Sequence, residues 1–151
     1  ALTGLKTTSY AENAMALATA RRVGCTEALF RNTAGMLCEG TGTNVFLVIG
    51  GQLVTPSLSS GCLAGITREL IIELAEREGS ATPDGGVEVR EVDPGELLTA
   101  EEAFLTSATR NVSAISEITG EYETTFGTAP GPMTAQIAAT FDELEASTPD
   151  P

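Results

Sequence analysis

The sequence has 151 residues, 8 basic against 21 acidic, so a net charge of −13 removes the basic stripe that counterion release on nucleic acid requires and leaves a chain that an anionic membrane surface repels. A hydrophobic content of 42% at this length predicts one domain burying about two-thirds of its unfolded surface. Histidine is absent, which excludes the Ser-His-Asp and Cys-His nucleophiles and the usual imidazole zinc sites.

The first residue is alanine rather than methionine, and the first helix signal begins within ten residues, as expected of a fragment of a longer protein. The first predicted helix opens with Ser9 and Glu12 in a capping box, carries Tyr10, Ala14, Leu17 and Ala18 on one face, and closes at Gly24. Strand-like runs follow at Glu27 to Arg31, Met36 to Cys38, Asn44 to Ile49 and Leu53 to Thr55, with turns at Asn32 to Gly35 and Gly50-Gly51, and they read as a meander. A second helix is predicted from Thr67 to Glu78, burying Leu70, Ile71, Leu74 and Ala75, pairing Glu73 with Arg77 and stopping at Gly79. After a linker-like stretch, Gly79 to Gly86, further strands are expected at Val87 to Val92, Ala103 to Thr106 and Val112 to Ile118. The third helix, from Pro132 to about Glu145, has proline at its first position and a core series Met133, Ile137, Phe141, Leu144. The sum is an α+β unit, mixed and mainly antiparallel strands with flanking helices, with 146–151 as a tail.

The longest strongly apolar stretch, Val45 to Ile49, falls far short of the roughly 20 residues that span a bilayer, and no signal-peptide pattern opens the chain. Cys25, Cys38 and Cys62 are odd in number and widely spaced, which fits neither a disulfide framework nor a metal clip, so reduced thiols, a cytoplasmic location and no metal are expected. Cys38 reads as a small buried hydrophobe. The glutamates at 101, 102, 121 and 123 read as a solubilising surface.

Three places could carry chemistry. Lys6 is the sole lysine; most lysines are simply solvated, but this one sits in a threonine-rich turn before a helix, where an amine could meet a ligand and form a Schiff base with an aldehyde. Glu39-Gly40-Thr41-Gly42-Thr43-Asn44-Val45-Phe46 puts an acid at a strand end before small residues, which by spacing alone is equally a turn with a solvated glutamate. Gly61-Cys62-Leu63-Ala64-Gly65-Ile66-Thr67-Arg68 leads glycines into a helix N-terminus, where free amides and the Thr67 hydroxyl would suit a phosphate monoester; a capping threonine without a ligand is the commoner case, and no Walker A sequence is present.

In that order, followed by the Thr106-Ser107-Ala108-Thr109 strand end, these motifs resemble the pyridoxal-phosphate enzymes of fold type IV, the class IV aminotransferase family of branched-chain and D-amino acid aminotransferases and 4-amino-4-deoxychorismate lyase. The resemblance runs from Lys6 to the Gly131-Pro132-Met133-Thr134 stretch. It implies that 1–8 is an interdomain segment carrying the lysine, that 9–145 is the C-terminal cofactor-binding domain, and that a smaller N-terminal domain lies outside this chain.

The resemblance also implies the site. Lys6 would hold pyridoxal 5'-phosphate as a Schiff base and shuttle a proton, and Glu39 would face the pyridine nitrogen and keep it protonated, so the ring accepts electrons. Leu63 would pack on the ring; the Ile66 and Thr67 amides and the Thr67 hydroxyl would bind phosphate; Tyr10 would reach the ring hydroxyl; Asn44 and Gly65 would border the cofactor. Branched-chain enzymes have one more residue between the lysine and the tyrosine. Ala108 stands where transaminases usually place a phosphate-touching threonine, leaving backbone amides, Ser107 or Thr109, and it is reminiscent of the lyase branch. The implied activity is transfer of an amino group from a small amino acid to a 2-oxo acid by a homodimer; the alternative is pyruvate elimination giving 4-aminobenzoate, and a remote third reading is a non-catalytic binding module.

Overall fold

A computed structural model describes residues 10–78 and 86–147. In chain order it holds α1 (Ala11–Arg22), β1 (Leu29–Arg31), β2 (Leu37–Gly40), β3 (Asn44–Ile49), β4 (Gln52–Pro56), α2 (Ile66–Glu78), β5 (Val87–Arg90), β6 (Glu102–Ser107), β7 (Asn111–Ala114), β8 (Glu117–Ile118), β9 (Thr124–Thr125) and α3 (Pro132–Ser147). Short 3-10 turns lie at Leu58–Ser60 and Pro94–Leu98.

β3 is buried from Asn44 through Val48, the pattern of a strand covered on both faces. It lies at the centre of a five-stranded sheet ordered β5-β4-β3-β6-β7, in which only the β4–β5 pair is parallel. The parallel pair needs a crossover, and α2 supplies it. On one face Phe46 and Phe104 stack with ring centroids 4.9 Å apart, and Ile71 and Ala75 of α2 and Ile137 and Phe141 of α3 cover them. On the other, Leu37, Val45, Leu47, Leu105 and Phe126 form a second cluster.

The simple meander expected from sequence is not what forms. β1 and β2 make a separate antiparallel pair, and β6 takes the place beside β3, because five paired residues from Asn44↔Thr106 to Val48↔Glu102 bury both strands together. The run Val112 to Ile118 divides into β7 and β8, and β8 turns away to pair with β9.

The expected helices form with small changes of boundary: α2 begins at Ile66 and α3 runs on to Ser147. Of the tail expected at 146–151, Ala146 and Ser147 belong to α3 instead; 148–151, Ser9 and Gly79 lie outside the described residues, as does the Arg77 side chain of the expected Glu73 pair. α1 is preceded by Tyr10 with no side-chain cap, and of its residues only Ala20 is fully buried; Ala14 and Ala18 are exposed. Its docking relies on a polar contact, Asn13 Nδ2 donating to the Thr41 carbonyl at 2.6 Å.

Glu102 corrects the expectation of a glutamate-rich surface. It is 8% exposed and accepts from the amides of Met133 (3.0 Å) and Thr134 (2.8 Å), which places its charge on the N-terminus of α3. Gly131 is required beside it, since a Cβ there would overlap the Glu102 carboxyl. Glu101, Glu121 and Glu123 are exposed, as expected.

Candidate functional site

β2 carries Glu39 to the edge of the loop that precedes α2, and β3 opens with Asn44 beside the same loop. The two side chains grip one residue. The Leu63 amide donates to Glu39 Oε2 at 2.8 Å, and the Leu63 carbonyl accepts from Asn44 Nδ2 at 2.8 Å. Gly65 packs against Asn44 so closely that a Cβ would overlap Asn44 Oδ1; no left-handed backbone is involved, so glycine is needed here for space. Glu39 is half-buried rather than solvated, which corrects the turn-glutamate alternative. Burial pushes its carboxyl above the usual range, and the Leu63 amide pulls partly against that. Its second oxygen accepts no hydrogen bond among the described residues.

The loop ends where α2 begins. Helix geometry leaves the amides of Ile66, Thr67 and Arg68 without intrahelical acceptors, and the first such bond runs from the Glu69 amide to the Gly65 carbonyl at 3.0 Å. Thr67 is buried, whereas the Ile66 side chain is 77% exposed, so Ile66 can offer the site its amide rather than its side chain. Arg68 is 2% exposed and donates to the Pro56 carbonyl at 3.0 Å, tying the first turn of α2 to the end of β4. Cys38 and Cys62, next to Glu39 and Leu63, are buried thiols pushed up chiefly by burial, with Ser60 bonded to both residues, and so are poorly suited to nucleophilic chemistry.

Asn44 is directly opposite Thr106 in the β3–β6 pair, so β6 delivers the following turn to the same end of the sheet. In that turn Ser107 Oγ and Thr109 Oγ1 lie 3.3 Å apart, and Ser107 Oγ also accepts the Arg110 amide at 3.2 Å. Ala108 is exposed and contributes no hydroxyl. The structure therefore joins Glu39, Asn44, Leu63, Gly65, Ile66 and Thr67 into one unit, with Ser107, Ala108 and Thr109 following from the strand beside it. Tyr10 is 45% exposed at the mouth of α1, and its side chain makes no hydrogen bond among the described residues. Lys6 lies outside the described residues.

Sequence reasoning did not single out Glu27 as a site residue. Its carboxylate accepts from the Thr41 amide at 3.1 Å, the Thr41 hydroxyl, the Thr43 hydroxyl at 3.4 Å and the Ala28 amide at 3.1 Å, and it pairs with Arg110 Nη1 at 3.6 Å. A cleft of about 690 Å³ opens beside it, between α1, Leu37, Arg110 and Tyr122. That cleft does not include Glu39, Leu63 or Thr67, and it meets the candidate site only through Glu27 and Arg110.

These residues fit a flat heterocycle with a phosphate arm. An acid with one unengaged oxygen suits a ring nitrogen, the bare amides at the start of α2 suit a phosphate, and the space a Cβ at Gly65 would fill is kept clear.

Comparison with known proteins agrees with this reading. A family model described as amino-transferase class IV matches residues 1–118. A Thermotoga maritima protein named a probable branched-chain-amino-acid aminotransferase is 39% identical over 120 residues, which is 80% of this chain and 41% of that protein. The branched-chain amino acid aminotransferase of Thermobaculum terrenum, solved in its PLP form, superposes with a TM-score of 0.85 at 36% identity, covering 95% of this chain and 45% of that one. A Legionella pneumophila structure described as a candidate 4-amino-4-deoxychorismate lyase superposes with a TM-score of 0.84 at 25% identity, covering 95% and 50%. The chain thus spans about two-fifths to one-half of the proteins it matches.

Proposed function

The chain belongs to the class IV amino-transferase family with the fold of the type IV pyridoxal-phosphate enzymes, and from that premise we propose that residues 1–8 carry the lysine and 9–145 form the cofactor-binding domain of an aminotransferase acting on a small, branched-chain-type amino acid. The observation that carries the proposal is the double grip on Leu63: Glu39 and Asn44 make the acid, the loop and the N-terminus of α2 one rigid unit. Pyridoxal phosphate, when bound, supplies an aldehyde for an amine and a ring that accepts electron density.

The chain's own residues would do the rest. Lys6 provides the amine that holds the cofactor and moves a proton at the substrate carbon. Glu39 would face the ring nitrogen with its unengaged oxygen and hold it protonated as a carboxylate, the pyridinium charge offsetting the burial that raises the free carboxyl. The Ile66 and Thr67 amides, with the positive end of α2, bind the phosphate, and Leu63 covers one ring face. Tyr10, Asn44, Gly65 and the 107–109 turn border the group. A homodimer in the cytoplasm completes the proposal; the three free thiols are in keeping with a reducing compartment.

Pyruvate elimination from aminodeoxychorismate is the second reading, favoured by one observation: Ala108 offers no hydroxyl, and its neighbours Ser107 and Thr109 face each other. The test is a paired assay on the intact protein supplied with pyridoxal phosphate. Leucine with 2-oxoglutarate should yield the branched 2-oxo acid, whereas pyruvate from aminodeoxychorismate, without that product, would favour the lyase. A protein inactive on both, and colourless with the cofactor, would leave only the binding-module reading.

A further inference from the structure

Glu27 lies outside the proposed cofactor contacts, yet it is placed where two parts of the site are joined. Its side chain is 8% exposed. One oxygen, Oε1, takes the Thr41 amide and hydroxyl and the Ala28 amide, and the other takes the Thr43 hydroxyl and faces Arg110. Thr41 and Thr43 belong to the turn between Glu39 and Asn44, and Arg110 closes the turn that carries Ser107 to Thr109. The Thr41 peptide is held from its other side as well, by Asn13 of α1. Gly40 has no room for a side chain, because a Cβ would overlap Thr43 Oγ1 and approach Glu27 at 3.3 Å.

We propose that Glu27 is a positioning residue: its buried carboxylate locks the 40–43 turn to the 107–110 turn, and so fixes the separation of Glu39 and Asn44 from the Ser107–Thr109 edge of the cofactor site. The role rests on the cofactor reading given above. A carboxylate is suited to it because it only accepts, and four donors plus a guanidinium converge on its two oxygens. Glutamine keeps one accepting oxygen but turns the other into a donor facing hydroxyl and guanidinium groups.

The experiment uses the intact protein with Glu27→Gln and, as a variant at an exposed position that spares folding, Arg110→Met. Amide hydrogen exchange without cofactor is read on peptides covering residues 38–45 and 105–112, and pyridoxal 5'-phosphate affinity is read by absorbance titration. Glu27→Gln should raise exchange in both peptides together and weaken the cofactor about tenfold or more, roughly 1.4 kcal/mol. Arg110→Met should raise exchange in residues 38–45, although Arg110 is outside them. Faster exchange in only one of the two peptides of the Glu27→Gln protein, faster exchange confined to residues 105–112 in the Arg110→Met protein, or unchanged cofactor affinity in a folded Glu27→Gln protein would overturn the proposal. A wild-type protein that binds no pyridoxal phosphate would sink the cofactor reading instead, and the exchange arm would still decide whether Glu27 couples the turns.

Discussion

Replacing Gly65 by alanine tests the packing of the candidate site at a single atom. The backbone at Gly65 is outside the left-handed region, so alanine costs nothing there by conformation; the whole penalty comes from the new Cβ overlapping Asn44 Oδ1. Asn44 is 6% exposed and cannot swing into solvent, so it must give up its 2.8 Å bond to the Leu63 carbonyl. The Leu63 carbonyl keeps the Gly65 amide at 2.9 Å, so the group left unpaired is the buried Asn44 amide, at a cost of about 1–3 kcal/mol, and an off-rotamer side chain costs about 0.5–1.5 kcal/mol more. The expected loss is therefore about 2–4 kcal/mol, measured by urea unfolding followed by circular dichroism. The decisive comparison is a double-mutant cycle. Asn44→Ala alone should cost about 0.5–1.5 kcal/mol, since the Leu63 carbonyl keeps the Gly65 amide, but with Asn44 already removed Gly65→Ala should cost almost nothing further, roughly 0.5 kcal/mol or less. Additive losses would refute the reasoning, since they would mean that the glycine is needed for something other than room beside Asn44.

Three further outcomes follow from the same geometry. Burial raises the Glu39 carboxyl, so the folded state keeps this proton to higher pH than the unfolded chain does, and stability of the cofactor-free protein should fall as pH rises from the ordinary carboxylate range through the raised value. Glu39→Gln should flatten that part of a stability-against-pH series measured by chemical denaturation; an unchanged slope would contradict it. Glu102→Ala should cost about 1–2 kcal/mol by uncapping α3, seen in thermal melts, with faster amide exchange at Met133 and Thr134. Phe104→Ala, which removes one ring of the stacked pair at the sheet centre, should cost about 3–5 kcal/mol in urea unfolding.

The elements with local signals were legible in the sequence. The run Asn44 to Ile49 reads as a strand, although its cover on both faces does not show in the sequence; Pro132 marks the start of α3, and the spacing of Leu70, Ile71, Leu74 and Ala75 gives α2 its buried side. Sheet order was not legible, because the pairing of β6 with β3 joins residues 54 to 62 positions apart and no turn residue marks it. The same limit explains the carboxylates. Glu39 could pass for a solvated turn residue because its partner Leu63 is 24 positions on; Glu27 reaches 14 and 16 positions to its threonines, and Glu102 reaches 31 and 32 to the start of α3. The glycine-rich loop before α2 was read as an anion cup from its own residues, but what makes it rigid, the grip of Glu39 and Asn44 on Leu63, is a tertiary fact.

Whether Lys6 anchors the cofactor is decided by reductive trapping. The intact protein is incubated with pyridoxal 5'-phosphate, treated with borohydride, digested and mapped by mass spectrometry. The visible absorbance should bleach and a phosphopyridoxyl group should be fixed to the peptide containing Lys6, with free phosphate protecting that peptide by competing for the start of α2. A label elsewhere with Lys6 unmodified, or a full-length protein that takes up no cofactor, would contradict that role of Lys6.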